Sequence, residues 1–136
     1  MEIRNFNEPK IQFSSSPIHD HWINAVEWSK DDCLIFTCSE DQYAKIHDVK
    51  TGKIVSTLGG NTGLRTACEL GKSTQSSLCL ALGGECGVTL WDQRTVTRPA
   101  RLLPRQGAPI TGLTSTADGL LLVTCNMVGV LQVWDV

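Results

Sequence analysis

Short apolar runs separated by polar turns occupy most of the chain. They are Ile23 to Trp28, Leu34 to Cys38, Leu64 to Leu70, Leu78 to Leu82, Ile110 to Leu113 and Leu120 to Cys125, many rich in Val, Ile and Leu and bounded by Gly, Asp and Ser. Runs of that kind favour strand over helix, and no segment sustains a helical period. Three closing segments are alike: Tyr43 to Asp48, Gly87 to Asp92 and Val130 to Asp135. Their equivalent positions His47, Trp91 and Trp134 are 44 and 43 residues apart. Lys53 to Leu58 and Arg98 to Leu103 add a fourth strand to the first two units. The pattern predicts an all-β chain of four-stranded repeats. An N-terminal strand and linker (1–18) precedes units at 19–58, 59–103 and 104–136, the last without its final strand.

Composition narrows the function classes. The chain has 136 residues, 41% hydrophobic and 19% charged, with a net charge of -2. That balance belongs to a folded chain and argues against bulk electrostatic binding to nucleic acid or membrane. No apolar run approaches the ~20 residues of a spanning helix, and Met1 to Phe6 carries no signal-peptide core. Of six cysteines, Cys38, Cys79 and Cys125 lie inside apolar runs and read as small buried hydrophobes. With no secretory signal, a reducing cytosolic or nuclear compartment is expected. There is no C-x-x-C pair, so Cys33 and Cys38 beside His19 and His21 are not read as a zinc site. No metal and no cofactor is expected.

A unit of about 43 residues closing on Trp-Asp resembles the WD40 repeat, one blade of a β-propeller. The resemblance covers His19 to Val136. It implies a buried hydrogen-bonded set of His, strand Ser/Thr, turn Asp and Trp in each blade. By position these are His19, Thr37, Asp41 and His47 in the first unit, followed by Asp48. The second unit has Trp91, Asp92 and Glu85, with Ala81 at the hydroxyl position. The third has Trp134, Asp135 and Thr124, with Val128 at the Asp position and Gln106 at the His position. Where both partners are lost, no buried group need be left unpaired, so the second and third units read as degenerate. Trp91 and Trp134 are expected to pack between neighbouring blades.

Other constellations have blander readings. His19, Thr37 and Asp41 have the residue types of a hydrolytic triad, but the resemblance makes them structural, so no catalytic residue is assigned. The runs Gly59 to Gly63 and Gly83 to Gly87 lack the Lys-Ser/Thr of a phosphate loop and read as turns between strands. Ser14 to Pro17 reads as a linker. Arg94, Arg98, Arg101 and Arg105, with no acid between Asp92 and Asp118, form a solvated basic stretch or a docking patch for an acidic partner.

Two narrower resemblances follow. Cys79 to Arg94 is similar to the box by which some WD40 proteins dock onto the adaptor of cullin-4 ubiquitin ligases, with Trp91-Asp92-Gln93-Arg94 at its end. Ser39 to Asp41, Thr66 to Glu69 and Gly83 to Asp92 are similar to stretches of an animal WD-repeat protein linked to cilia.

The expected function is a non-enzymatic scaffold for protein–protein interactions within a larger complex, with no membrane or nucleic-acid partner. Three units are fewer than the about four to eight blades of a ring. A fragment or truncated gene model is therefore expected, or a half-ring completed by another copy or a partner chain. Ile11-Gln12-Phe13 would supply the missing strand of a closed ring.

Overall fold

A computed structural model describes residues 14–60, 62–71, 78–92 and 94–136, with Leu78 by its backbone alone. Ile11 to Phe13 and Gln93 lie outside the described residues. The first sheet contains β1 (Ile23–Trp28), β2 (Leu34–Ser39), β3 (Tyr43–Asp48) and β4 (Ile54–Gly59). The second contains β5 (Leu64–Glu69), β6 (Leu78–Gly84), β7 (Gly87–Asp92) and β8 (Arg101–Leu102). The third contains β9 (Ile110–Ser115), β10 (Leu121–Asn126) and β11 (Leu131–Asp135). All pairings are antiparallel, between strands adjacent in sequence. β5 packs against β1 and β2, and β9 packs against β5 and β6, so the sheets follow one another as blades.

The sheets meet through apolar faces, and this burial supplies most of the cohesion. Phe36, Cys38, Ala44 and Leu58 of the first sheet share a core with Leu64, Ala67, Leu80, Leu82 and Trp91 of the second. The opposite face of the second sheet, with Ala81, Val88 and Leu90, meets Ile110 and Leu122 of the third, with Trp134 packed against that core. Period-2 alternation is what lets the second sheet serve both seams.

Turn chemistry repeats between blades. At the β1–β2 turn, the Ser29 hydroxyl donates to Asp31, whose carboxylate accepts Cys33 N–H, while Leu34 N–H donates to Ser29 Oγ. Thr116, Asp118, Leu120 and Leu121 reproduce this at the β9–β10 turn. The left-handed position is Asp32 (φ 57°) in the first and Gly119 (φ 73°) in the third.

The outer strand of the second blade is shorter than the expected Arg98 to Leu103. Pro99 and Pro104 have no amide hydrogen to donate, so the ladder is confined between them. Ala100 N–H to Leu90 O at 2.8 Å and Leu103 N–H to Val88 O at 3.0 Å are its end bonds. A second correction concerns Gly83 and Gly84, which lie within β6 rather than in a turn. A Cβ on Gly83 would stand 2.8 Å from the methyls of Ile110 and Thr66, and one on Gly84 2.3 Å from Gly63 O. Close approach of neighbouring strands, not turn conformation, is what requires glycine there.

Candidate functional site

On the first blade, β2 and β3 hold a chain of polar side chains beneath the segment preceding β1. His19 Nδ1 lies 2.8 Å from Asp41 Oδ2, and His19 Nε2 2.9 Å from Thr37 Oγ1. Thr37 Oγ1 is in turn 3.1 Å from His47 Nε2. Because a carboxylate only accepts, Nδ1–H of His19 donates to Asp41, which lets Nε2 accept the Thr37 hydroxyl; His47 Nε2–H then donates to Thr37. Asp41 also accepts Asp20 N–H and Tyr43 N–H, fixing the approach segment and the β2–β3 turn.

Burial pushes the Asp41 carboxyl up, but the hydrogen bonds from Tyr43 N–H, the His19 ring and Asp20 N–H hold it below its usual value. Burial first, and then the nearby Lys45 charge, lowers His47. Thr37 Oγ1 is buried among His19, His47 and the Lys45 carbonyl, so the triad-like set ties the segment preceding β1 to β2 and β3.

The third blade keeps the chain with different residues. Trp134 Nε1 donates to Thr124 Oγ1 at 3.1 Å, and Thr124 donates to Gln106 Oε1 at 2.9 Å. Gln106 thus performs the accepting role of His19, and its Nε2 is buried without a hydrogen-bond partner. The expectation that this blade loses the set without leaving a buried group unpaired is wrong. The absent turn aspartate is covered by Asn126, whose Oδ1 accepts Val128 N–H and Val130 N–H. Val128 itself is exposed. Asn126 stands at the position of Ser39, and a side-chain amide ahead of a left-handed glycine (Gly129, φ 83°) is the sequence signal for such a turn.

The second blade departs further. Leu78 pairs with Asp92 but Leu80 pairs with Trp91, so Cys79 is an extra residue in β6. This one-residue bulge puts Leu82, not Ala81, opposite Thr89 and at the place of Thr37 and Thr124. With an apolar residue there, Trp91 Nε1 donates instead to Thr89 Oγ1 at 2.9 Å. Glu85 is not part of a buried set: it lies in the exposed β6–β7 turn, 3.1 Å from Arg65 Nη2.

Each strand-closing aspartate has its own surroundings. Asp48 accepts the amide and hydroxyl of Thr51, which hold its carboxyl below the usual range. Asp135 is exposed. Asp92 accepts Arg94 N–H at 2.8 Å, and the Arg94 guanidinium turns back onto the same carboxylate at 3.4 Å. Arg94 is exposed but does not project free beyond the strand. Arg98, Arg101 and Arg105 are exposed, and among the described residues none has a carboxylate within ion-pair distance. No group of three or more His, Cys, Asp or Glu among the described residues is arranged to hold a metal ion. Burial and neighbouring carboxylates push the Cys38 thiol up to about 12 and the Cys79 thiol to about 11, away from nucleophilic character.

The family profile described as WD domain, G-beta repeat matches residues 12–48. The chain is 32% identical over 76 residues to the WD repeat-containing protein WDS homolog of Arabidopsis thaliana, covering 54% of this chain and 14% of that protein. It is 29% identical over 122 residues to WD repeat-containing protein 1 of Xenopus tropicalis, covering 88% of this chain and 20% of that protein. The chain thus spans a fifth or less of either relative. A chain in the crystal structure of the mitotic checkpoint complex superposes with a TM-score of 0.74 at 20% identity, over 89% of this chain and 37% of that one. That likeness establishes the fold. Residues 12–48 thus match a WD40 repeat, both relatives are WD repeat-containing proteins, and the three successive blades have the fold of a β-propeller.

Proposed function

We propose that the chain is a non-enzymatic scaffold segment that holds other proteins within a larger assembly. The carrying observation is apolar surface left outside the two seams. On the first blade Trp28 is 55% exposed, with Val26 and Trp22 also open; on the third Val133 is 59% exposed, with Leu131 and Met127. Apolar surface of that extent on rigid strands marks a face that other protein covers. Faces of the same kind are already buried between the first and second blades and between the second and third, so another blade, from a longer form of this chain, a second copy or a partner chain, is the complementary surface.

Light scattering of the purified chain tests this, with and without Val133→Lys and Trp28→Lys. The expected result is association in the wild type that either substitution weakens; a monodisperse monomer in all cases contradicts it. Reception for a cullin-4 ligase draws no support from the geometry, because the Arg94 guanidinium on which it depends rests on Asp92. The cilium reading has no structural observation behind it.

A further inference from the structure

Both seams obey one rule of pairing: the face of a blade that carries its closing tryptophan packs onto the opposite kind of face of the blade before it. The second blade's Trp91 face, with Ala67, Leu80 and Leu82, meets Phe36, Cys38 and Ala44 of the first. The third blade's Trp134 face, with Ile110 and Leu122, meets Ala81, Val88 and Leu90 of the second. One face of each kind is left open, one on the first blade and one on the third.

Strand register says which is which, because residues paired across strands project to the same side of a sheet. On the first blade, Trp28 pairs with Ile35 and Ile35 with His47, the residue at the tryptophan position. The open face there is the tryptophan kind. On the third blade, Val123 pairs with Val133 and Cys125 with Leu131, as Phe36 pairs with Ile46 and Cys38 with Ala44 on the first. The open face there is the receiving kind. The match extends to single positions. Trp28 holds the place that Glu69, paired with Leu80, has in the second blade, and Val133 holds the place of Ile46. Glu69 and Ile46 line one cavity at the first seam, so the same rule sets Trp28 against Val133.

A second copy of this chain presents both complementary faces at once. Head-to-tail contacts of this kind either close into a ring or grow into an open array. Closed propellers have about four to eight blades. With three sheets in each chain, two copies give six blades, and no other number of copies falls in that range. We propose that the chain pairs head to tail with a second copy into a closed six-bladed ring, the third blade of each covering the first blade of the other. The inference deepens the scaffold reading and rests on it, naming the partner that covers the open faces.

Sedimentation velocity of the full 136-residue chain over a concentration series reads both mass and Kd. The expected result is a species of twice the chain's mass, with nothing larger at high concentration. Trp28→Lys and Val133→Glu are each expected to weaken the dimer about tenfold or more, since each buries an unpaired charge in both seams. Both positions are exposed in the single chain, so the variants are expected to keep the wild-type circular dichroism. Combined in one chain, they set lysine against glutamate at both seams, and the dimer tightens about tenfold over either single variant. Open-ended growth, a dimer indifferent to Trp28→Lys, or a double variant no tighter than the singles overturns the ring and leaves the scaffold reading standing. A monomer at every concentration overturns both.

Discussion

His47 occupies the place that tryptophan fills in the other two blades, and it makes the same donation to a threonine hydroxyl. Its pKa is lowered in the folded state from the ordinary value of 6.5. Between that value and the lower folded one, the unfolded chain binds more protons, so stability falls as pH drops through this window. His47→Trp is expected to remove this loss while keeping the hydrogen bond, and the urea midpoint measured from pH 7 to pH 5 reads the change. Asp41, with its pKa held below 3.8, contributes stability above that pH which is lost as pH falls further.

In the third blade, Gln106→His supplies a second ring nitrogen that needs the acceptor Val128→Asp would provide. A double-mutant cycle is expected to show favourable coupling of about 0.5–3 kcal/mol; additive effects would mean the two sites do not meet. The first blade's set is legible in the sequence because His, Thr and Asp stand at full spacing. The roles of Gln106 and Asn126 are not, since an amide replacing an imidazole or a carboxylate keeps the hydrogen bond while changing the residue type.

At the level of elements, the strands follow from apolar runs and turn residues, and most lie where periodicity predicts. Two features escape that reading. The Cys79 bulge shifts β6 by one place, so counting back from Trp91 selects Ala81 although Leu82 faces the equivalent site. Register depends on cross-strand pairing, which no count along one strand reveals. The glycines of β6 are equally opaque, because their neighbours come from β5 and β9. Gly84→Ala would force the backbone at Gly63 to move, and a loss of about 1–3 kcal/mol in chemical denaturation is expected. A stability within ~0.5 kcal/mol of wild type would show that the approach of β5 to β6 is looser than described.

Across the whole molecule, cohesion comes from the two seams and from one long side chain. Lys30 Nζ donates to Thr116 O at 3.0 Å and reaches Ser115 and Ala117, while its amide donates to Glu69, so one residue of the first blade touches both others. Trp91 has the larger part, because it fills the core shared by the first two blades. If the blades act as one rigid scaffold, removing that ring must be felt by the chain as a unit. Urea unfolding of Trp91→Ala beside the wild type measures this directly. The expected result is a single cooperative transition in the wild type and a loss of about 3–5 kcal/mol in the variant. A loss below ~1 kcal/mol, or separate transitions for the blades, would contradict a shared core at the seam.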